Sequence, residues 1–243
     1  MDYLGVIRQE SDRFYDTAAA ADPTAGVPCC PEWNIADLVW HLGEVHFFWA
    51  KLIELRAADP DDVEKVKPGR PSEYADLVTW GRAQVDFLLG TLEATADDVA
   101  VWTWALNDAD HTVGFIRRHQ VQEAAVHRWD MQASASSIPP DAIAPDAAAD
   151  SIDEFFAMQV PWVIAPDKPL PGSVHVHCTD ADGEWVLHPD GRVERVHEKG
   201  AVAMRGTASD LLLALYKRIP VDVLDVVGDD ALARHFVERV NTE

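Results

Sequence analysis

The sequence contains no uninterrupted apolar run that approaches the roughly 20 residues a membrane-spanning helix needs. Its first residues, MDYLGVIRQESDRF, are charged from the second position and include no apolar segment of the kind that secretory signals carry. We therefore expect a protein that does not enter a membrane and that resides in the cytoplasm.

Positive charge is also scarce. The chain has 20 Lys and Arg residues against 42 Asp and Glu residues, which gives a formal net charge of -22. A field of that sign repels the phosphate backbone of nucleic acids and the anionic surface of membranes. Nucleic acid and membranes are therefore not expected as partners.

Cysteine is rare in this sequence. Two of the three cysteines, Cys29 and Cys30, are adjacent, and adjacent residues form a disulfide only with severe strain. With Cys178 as the third, a disulfide framework is not expected, and a reduced intracellular protein is the simpler interpretation.

The sequence shows no phosphate-binding loop, dinucleotide fingerprint or serine-nucleophile elbow, which weakens ATP, NAD and hydrolase-fold interpretations.

The first 160 residues have helical periodicity. Four segments of about 20 residues carry apolar side chains at helical spacing, which predicts a four-helix bundle over residues 1–160. The second helix has a clear start, because Asn34 is a good N-cap and Asp37 occupies the third helical position. Ser72 is the predicted cap of the third helix, and the fourth is predicted from about Val113 to Ala133.

From residue 161 the pattern changes to short β-rich runs separated by Asp-Gly and Lys-Gly turns. We interpret these runs as an antiparallel meander, followed by two closing helices. The predicted fold class is therefore α plus α+β, with a small α+β domain over residues 161–243.

The stretch VQEAAVHRWD places Glu123 and His127 four residues apart in a predicted helix. Residues at that spacing project from one face, so the two side chains can bind one ion without bending the backbone. A catalytic zinc site commonly has three protein ligands and one open position, so a third ligand would have to come from another helix.

His41 is the best third ligand, because it borders the apolar stripe of the second helix. Glu44 and Asp130 are candidates to support the ligands, and Asp130 is placed to orient the free ring nitrogen of His127. His46 lies about 140° around the helix from His41, so the two are not expected to share an ion.

Ordinary explanations stay open at this point. A Glu/His pair on a helix is more often a hydrogen-bonded surface pair than a set of ligands. His175 and His177 share one face of a predicted strand, with His188 on the next; they could bind metal, although exposed strand histidines are commoner. Cys30 could supply a reactive thiol if it lay near a helix N-terminus, but burial is the usual fate of such a residue.

Three segments, CPEWNIADLVWHLGEVH, GFIRRHQVQEAAVHRWD and RGTASDLLLALYKRIPVDVLDVVGD, resemble the mycothiol-dependent maleylpyruvate isomerase family. The resemblance covers most of the chain in the right order. It implies a DinB-like metal-binding four-helix bundle followed by a sterol-carrier-protein-like α+β domain. It also implies that His41, Glu123 and His127 bind a divalent metal, typically zinc.

The resemblance further implies a small-molecule thiol, mycothiol, and an electrophilic acid as the molecules that the protein binds. The implied reaction is cis–trans isomerisation, in which the thiolate adds to a conjugated double bond and is eliminated after rotation. A dianionic acid needs cationic partners in so acidic a protein. The candidates are Arg82, Arg117, Arg118 and Arg205.

Two other functions remain open from the sequence. Relatives of this architecture could instead transfer mycothiol to other electrophiles. Alternatively, the protein could be a non-enzymatic metal-binding or ligand-binding protein that keeps the three ligands.

Overall fold

The structure, a computed structural model, describes residues 1–240 and divides the chain into two compact units, with the division between Asp141 and Ala142. The sequence placed the boundary at residues 160 and 161, about 20 residues too late. The reason is that the helix over Pro145–Met158 packs its aromatic side chains within the second unit. The ring centroids of Phe155 and Tyr216 are 5.5 Å apart, and those of Phe156 and Trp185 are 5.8 Å apart.

The first unit is a helical bundle with a short hairpin between its first two helices. Its elements are α1 (Tyr3–Ala20), β1 (Gly26–Val27), β2 (Cys30–Asn34), α2 (Ile35–Leu55), α3 (Asp61–Glu64), α4 (Tyr74–Glu93), a 3-10 turn (Asp108–Asp110) and α5 (Val113–Ala135). Helix α2 packs against α4 and α5, and α1 packs against the same two helices. The predicted four-helix bundle is confirmed, whereas the hairpin was not predicted.

The start of α2 follows the sequence prediction. The backbone N–H of Asp37 donates to Asn34 Oδ1 at 3.0 Å, and the backbone N–H of Asn34 donates to Asp37 Oδ2 at 3.1 Å. This reciprocal arrangement satisfies two N–H groups that the helix would otherwise leave unpaired. The start of α4 differs, because Glu73 is its N-cap and makes no capping side-chain bond, so the predicted cap at Ser72 is wrong by one position.

Close packing of α2 and α4 depends on Gly43. A β-carbon at this position would collide with the ring of Trp80 on α4. The same indole stacks on Trp40, with ring centroids 4.7 Å apart. The absence of a side chain at Gly43 therefore lets α4 lie tightly against the helix that carries His41.

The second unit is an α+β domain. Its elements are α6 (Pro145–Met158), α7 (Val160–Val163), β3 (Val174–Cys178), β4 (Glu184–Leu187), β5 (Val193–Glu194), β6 (Val202–Gly206), α8 (Ala208–Leu215), a 3-10 turn (Val221–Val223), β7 (Asp225–Gly228) and α9 (Asp230–Arg239). The strands form one sheet in the order β5-β4-β3-β6-β7. None of the helices within residues 1–240 is long and apolar enough to cross a membrane.

The sheet is mixed, and this corrects the predicted meander. Strands β5, β4 and β3 are antiparallel neighbours, but β6 runs parallel to β3. The reason is that residues 195–201 carry the chain from the edge strand β5 across to the far side of β3, instead of turning back beside β5. Because side chains alternate across a strand, Val174 and Val176 are buried on one face while His175 and His177 project from the other.

Candidate metal centre

Three side chains converge inside the first unit. The Nε2 atoms of His41 and His127 lie 3.2 Å apart, and Glu123 Oε2 lies 3.4 Å from His127 Nε2. One donor atom from each of the three residues lies within 4.8 Å of the others. We call His41, Glu123 and His127 the bundle cluster.

The bundle brings these residues together from two helices. Glu123 and His127 are one turn apart on α5, and the α2–α5 contact places His41 opposite them. The ring of Trp33, just before α2, lies 4.8 Å from the imidazole of His41 and packs beside it. The capped start of α2 therefore fixes the part of the helix from which His41 projects.

Asp130 supports His127 from the side away from the cluster. Its Oδ2 lies 3.0 Å from His127 Nδ1, so the carboxylate holds the ring with Nε2 directed at His41 and Glu123. The other oxygen, Oδ1, accepts a hydrogen bond from the thiol of Cys29 at 3.1 Å. The sequence analysis considered Cys30 as a possible reactive thiol and did not consider Cys29, whose thiol touches this network.

The cluster is electrostatically polarised. Burial lowers the pKa of His127, but the hydrogen bonds that the imidazole donates to Asp130 and Glu123 outweigh burial and raise that pKa to about 9. Burial raises the pKa of Glu123, yet hydrogen bonds with His119 and His127 hold it well below its usual range.

His119 is a neighbour that the sequence interpretation missed. Its Nε2 lies 3.3 Å from Glu123 Oε1, one turn before Glu123 on the same face of α5. The spacing of His119, Glu123 and His127 at four-residue intervals is the signal that could have found it. Because His119 touches the second oxygen of Glu123, it helps to fix that carboxylate.

Arg128, next to His127, is a second residue that the sequence did not single out. Its side chain is fully buried, and its Nε donates to Glu10 Oε2 on α1 at 2.6 Å. Its Nη1 donates to Gln132 Oε1 at 2.9 Å. This buried ion pair joins α5 to α1 at the residue that follows His127.

His46 lies on α2 but does not belong to the cluster. Its side chain is fully buried, and neither ring nitrogen has a hydrogen-bond partner. Burial lowers its pKa to about 3, although the charge of Glu123 acts in the opposite direction. His46 is therefore a neutral core residue near the cluster.

A cleft of about 280 Å³ opens beside the bundle cluster, with Glu123 in its wall. The lining residues are Glu44, Val45, Phe48, Trp49, Glu64, Lys67, Trp104, His119 and Glu123. Lys67 is the cation of this wall, and its Nζ lies 3.1 Å from Glu44 and 2.6 Å from Glu64. Glu44, predicted to support the ligands, instead pairs with Lys67 at the side of the cleft.

The arginines predicted to bind substrate do not line this cleft. Arg82 pairs with Asp16 on the exposed surface, and Arg117 pairs with Asp97. Arg118 is half-buried on α5. Arg205 lies in the second unit, where it pairs with Asp225.

The strand histidines separate into two groups. His175 and His177 meet at Glu184, whereas His188 pairs with Glu194 at 2.8 Å and does not join them.

The donors of the bundle cluster suit a divalent metal. Two imidazoles and one carboxylate are a common three-ligand set for catalytic zinc, which keeps a fourth position for water or substrate. Two ring nitrogens 3.2 Å apart beside an ionised carboxylate also form a site that a cation would stabilise. A four-helix bundle with such donors on facing helices belongs to the class of bundle proteins that can hold a metal between their helices.

The chain belongs to the mycothiol-dependent maleylpyruvate isomerase family. The family model for the mycothiol maleylpyruvate isomerase N-terminal domain matches residues 4–132, and the model for the MDMPI C-terminal domain matches residues 142–235. These matches fall within the two structural units and leave residues 133–141 unmatched between them.

Two solved structures are similar in fold. A crystal structure of a histidine-to-alanine mutant of the mycothiol-dependent maleylpyruvate isomerase gives a TM-score of 0.61, and another crystal structure of the mycothiol-dependent maleylpyruvate isomerase gives 0.55. Each shares 12% sequence identity, and each alignment covers 93% of this chain and 91% of the other. At that identity the likeness concerns the fold. No curated protein sequence matches the chain.

Proposed function

We propose that this protein is a divalent-metal-dependent enzyme that uses a thiol cofactor, mycothiol, and that its metal ligands are His41, Glu123 and His127. The observation that carries the proposal is the bundle cluster itself, with two imidazole nitrogens and a carboxylate beside a cleft. Three protein ligands are the number that leaves a position for a small molecule. Membership of the family supports mycothiol as that molecule.

When bound there, a divalent ion such as zinc supplies Lewis acidity that lowers the pKa of a coordinating thiol. The chain's own residues prepare the site for this task. Asp130 fixes the tautomer of His127 by accepting from Nδ1, which leaves the Nε2 lone pair for the metal. His119 holds one oxygen of Glu123 and leaves the other directed at His127.

The cleft supplies the place where the organic molecules bind. Its wall combines the aromatic faces of Phe48, Trp49 and Trp104 with charged groups, which suits a polyhydroxylated thiol. The reaction that we propose is cis–trans isomerisation of a maleyl-type acid, with Lys67 as the cation nearest to the substrate. Arg82, Arg117, Arg118 and Arg205 remain candidates for the substrate's charged groups, although other partners hold Arg82, Arg117 and Arg205.

One observation favours a second function, transfer of mycothiol to an uncharged electrophile. Lys67 is already paired with Glu44 and Glu64, and Glu123 adds a third carboxylate to the cleft wall. A dianionic acid has to compete with these carboxylates, whereas a neutral electrophile does not. The transferase therefore stands as the alternative within the same site.

The experiment combines protein purified without an affinity tag, zinc, mycothiol and maleylpyruvate. We expect thiol-dependent loss of maleylpyruvate absorbance, and we expect His127→Ala to abolish it. A covalent mycothiol adduct of a neutral electrophile, formed without any isomerised acid, would favour the transferase. Absence of both products from protein that holds its metal would contradict both enzymatic proposals and leave a metal-binding protein.

A further inference from the structure

A second group of side chains converges on the sheet of the second unit. His175 and His177 project from one face of β3, and Glu184 on β4 is the direct cross-strand partner of His177. His197 approaches from the segment between β5 and β6. We call His175, His177, Glu184 and His197 the sheet cluster.

All three imidazoles are directed at one carboxylate oxygen. His175 Nε2 lies 2.8 Å and His177 Nδ1 lies 2.9 Å from Glu184 Oε1, and His197 Nδ1 contacts the same atom. One donor atom from each of the four residues lies within 4.8 Å of the others. Side chains from two strands and one connecting segment therefore point at a common centre.

Hydrogen bonding alone is a poor explanation of this convergence. A carboxylate oxygen offers about two lone-pair sites, so three N–H donors crowd one atom while Oε2 could have accepted one of them. His188 shows the ordinary alternative in the same sheet, because its imidazole pairs with one oxygen of Glu194 while Arg192 pairs with the other. The sheet cluster is instead arranged as ligands are around a shared cation.

We propose that the sheet cluster is a second metal site, which binds one zinc-class dication through His175, His177, His197 and Glu184. Three imidazole nitrogens and one carboxylate favour zinc or a similar first-row ion over Ca²⁺ or Mg²⁺, which prefer all-oxygen ligands. Zinc–ligand bonds of about 2.0–2.1 Å place tetrahedral donor atoms roughly 3.3 Å apart. The separations of 2.8 and 2.9 Å between Glu184 Oε1 and the nitrogens of His175 and His177 are shorter than this, so these pairs lengthen when the ion enters.

The number of ligands distinguishes this site from the bundle cluster. Four protein ligands complete a tetrahedral zinc shell and leave no position for substrate, which is typical of structural sites. The ion would tie residues 195–201 to the sheet through His197, whose side chain is otherwise 82% exposed. The role of the second site is therefore to order the connection that lets β6 run parallel to β3.

The first test is zinc titration of the His127→Ala protein, in which the bundle cluster lacks a ligand. We expect one equivalent of Zn²⁺ to bind. Adding His197→Ala or His177→Ala should abolish this binding, whereas adding His188→Ala should leave it unchanged. His197 is exposed, so its replacement does not endanger folding, and His188 is a matched histidine of the same sheet.

The outcomes separate this inference from the proposed function. Binding of one equivalent that is lost with His197→Ala supports the sheet site, whatever happens at the bundle cluster. If His127→Ala protein binds no zinc, or binds it equally well with and without His197, the inference is overturned while the enzymatic proposal is unaffected.

Proteolysis supplies a second readout of the structural role. Arg195 and Lys199 flank His197 in an exposed segment and are trypsin sites. Zinc should slow trypsin cleavage at both residues in the His127→Ala protein, and the effect should vanish when His177→Ala is added. Equal cleavage rates with and without zinc would contradict the proposed role.

Discussion

His127 Nδ1 and Asp130 Oδ2 lie 3.0 Å apart within one turn of α5. Asp130 is fully buried, and its other oxygen accepts from Cys29. The carboxylate is therefore held in place from two sides, and it in turn fixes the imidazole that faces His41 and Glu123.

Asp130→Asn should weaken zinc binding at the bundle cluster by about 10–100-fold, because the neutral amide keeps the shape but lowers the basicity of His127. The affinity is measured by competition with a chromophoric chelator in the His197→Ala protein, so that the sheet cluster does not contribute. Cys29→Ser is the matched control, since serine can still donate to Asp130. An unchanged affinity in Asp130→Asn would show that this hydrogen bond does not support a ligand.

Lys67→Met should raise the KM for an anionic acid about tenfold, because a hydrogen bond to a charged group contributes roughly 1.5–3 kcal/mol. The metal content should not change, since Lys67 pairs with Glu44 and Glu64 and not with the bundle cluster. Steady-state kinetics measures the KM for the acid, with a neutral electrophile as the control substrate, and elemental analysis measures the metal content. Equal KM values for the acid in both proteins would remove Lys67 from substrate binding.

The neutral, buried His46 predicts a pH dependence of stability. Its pKa in the folded protein is about 3, below the ordinary value of 6.5, so the unfolded chain binds the additional proton. The stabilisation is complete above about pH 6.5 and is lost as the pH falls toward 3, by up to about 1.4 kcal/mol per pH unit. Urea unfolding of metal-free protein at pH 8 and pH 5 tests this.

His46→Leu should flatten that acid dependence, because leucine has no proton to bind. The same variant should keep its zinc, since His46 lies outside the bundle cluster. If the free energy of unfolding changes with pH equally in the unmodified and His46→Leu proteins, the assignment of His46 as a neutral core residue is refuted. Loss of zinc from His46→Leu would refute its placement outside the metal site.

The buried pair of Arg128 and Glu10 predicts a large loss of stability. Arg128→Leu removes the 2.6 Å partner of the buried Glu10 carboxylate and leaves, among the described residues, only Arg13, 3.6 Å from the other oxygen, which should cost about 3–5 kcal/mol of unfolding free energy. Arg8→Ala removes an exposed pair with Asp86 and should cost at most about 1 kcal/mol. Chemical denaturation of both variants checks the contrast, and similar losses would contradict it.

Local patterns in the sequence were sufficient to predict much of the bundle. The Asn34–Asp37 cap depends on residues three apart, and the geometry of α5 alone puts Glu123 and His127 on one face. The convergence of His41 on that pair was also anticipated, because a third donor had to come from a helix with a histidine beside its apolar stripe. Its role as a ligand stays a prediction.

Features that depend on distant contacts were not predictable in the same way. The position of β6 beside β3 and the approach of His197 to Glu184 both follow from how residues 195–201 cross the sheet. The local spacing of apolar residues does not predict where a connecting segment crosses a sheet. The unit boundary was misplaced for a similar reason, because the amphipathic pattern of α6 shows that the helix has a buried face without showing which unit covers it.

Zinc content per chain, measured by elemental analysis of protein purified without an affinity tag, tests the bundle site most directly. We predict that His127→Ala lowers the content by one equivalent relative to the unmodified chain, and that His46→Leu does not. Equal zinc content in the unmodified and His127→Ala proteins would contradict the assignment of His41, Glu123 and His127 as the metal ligands.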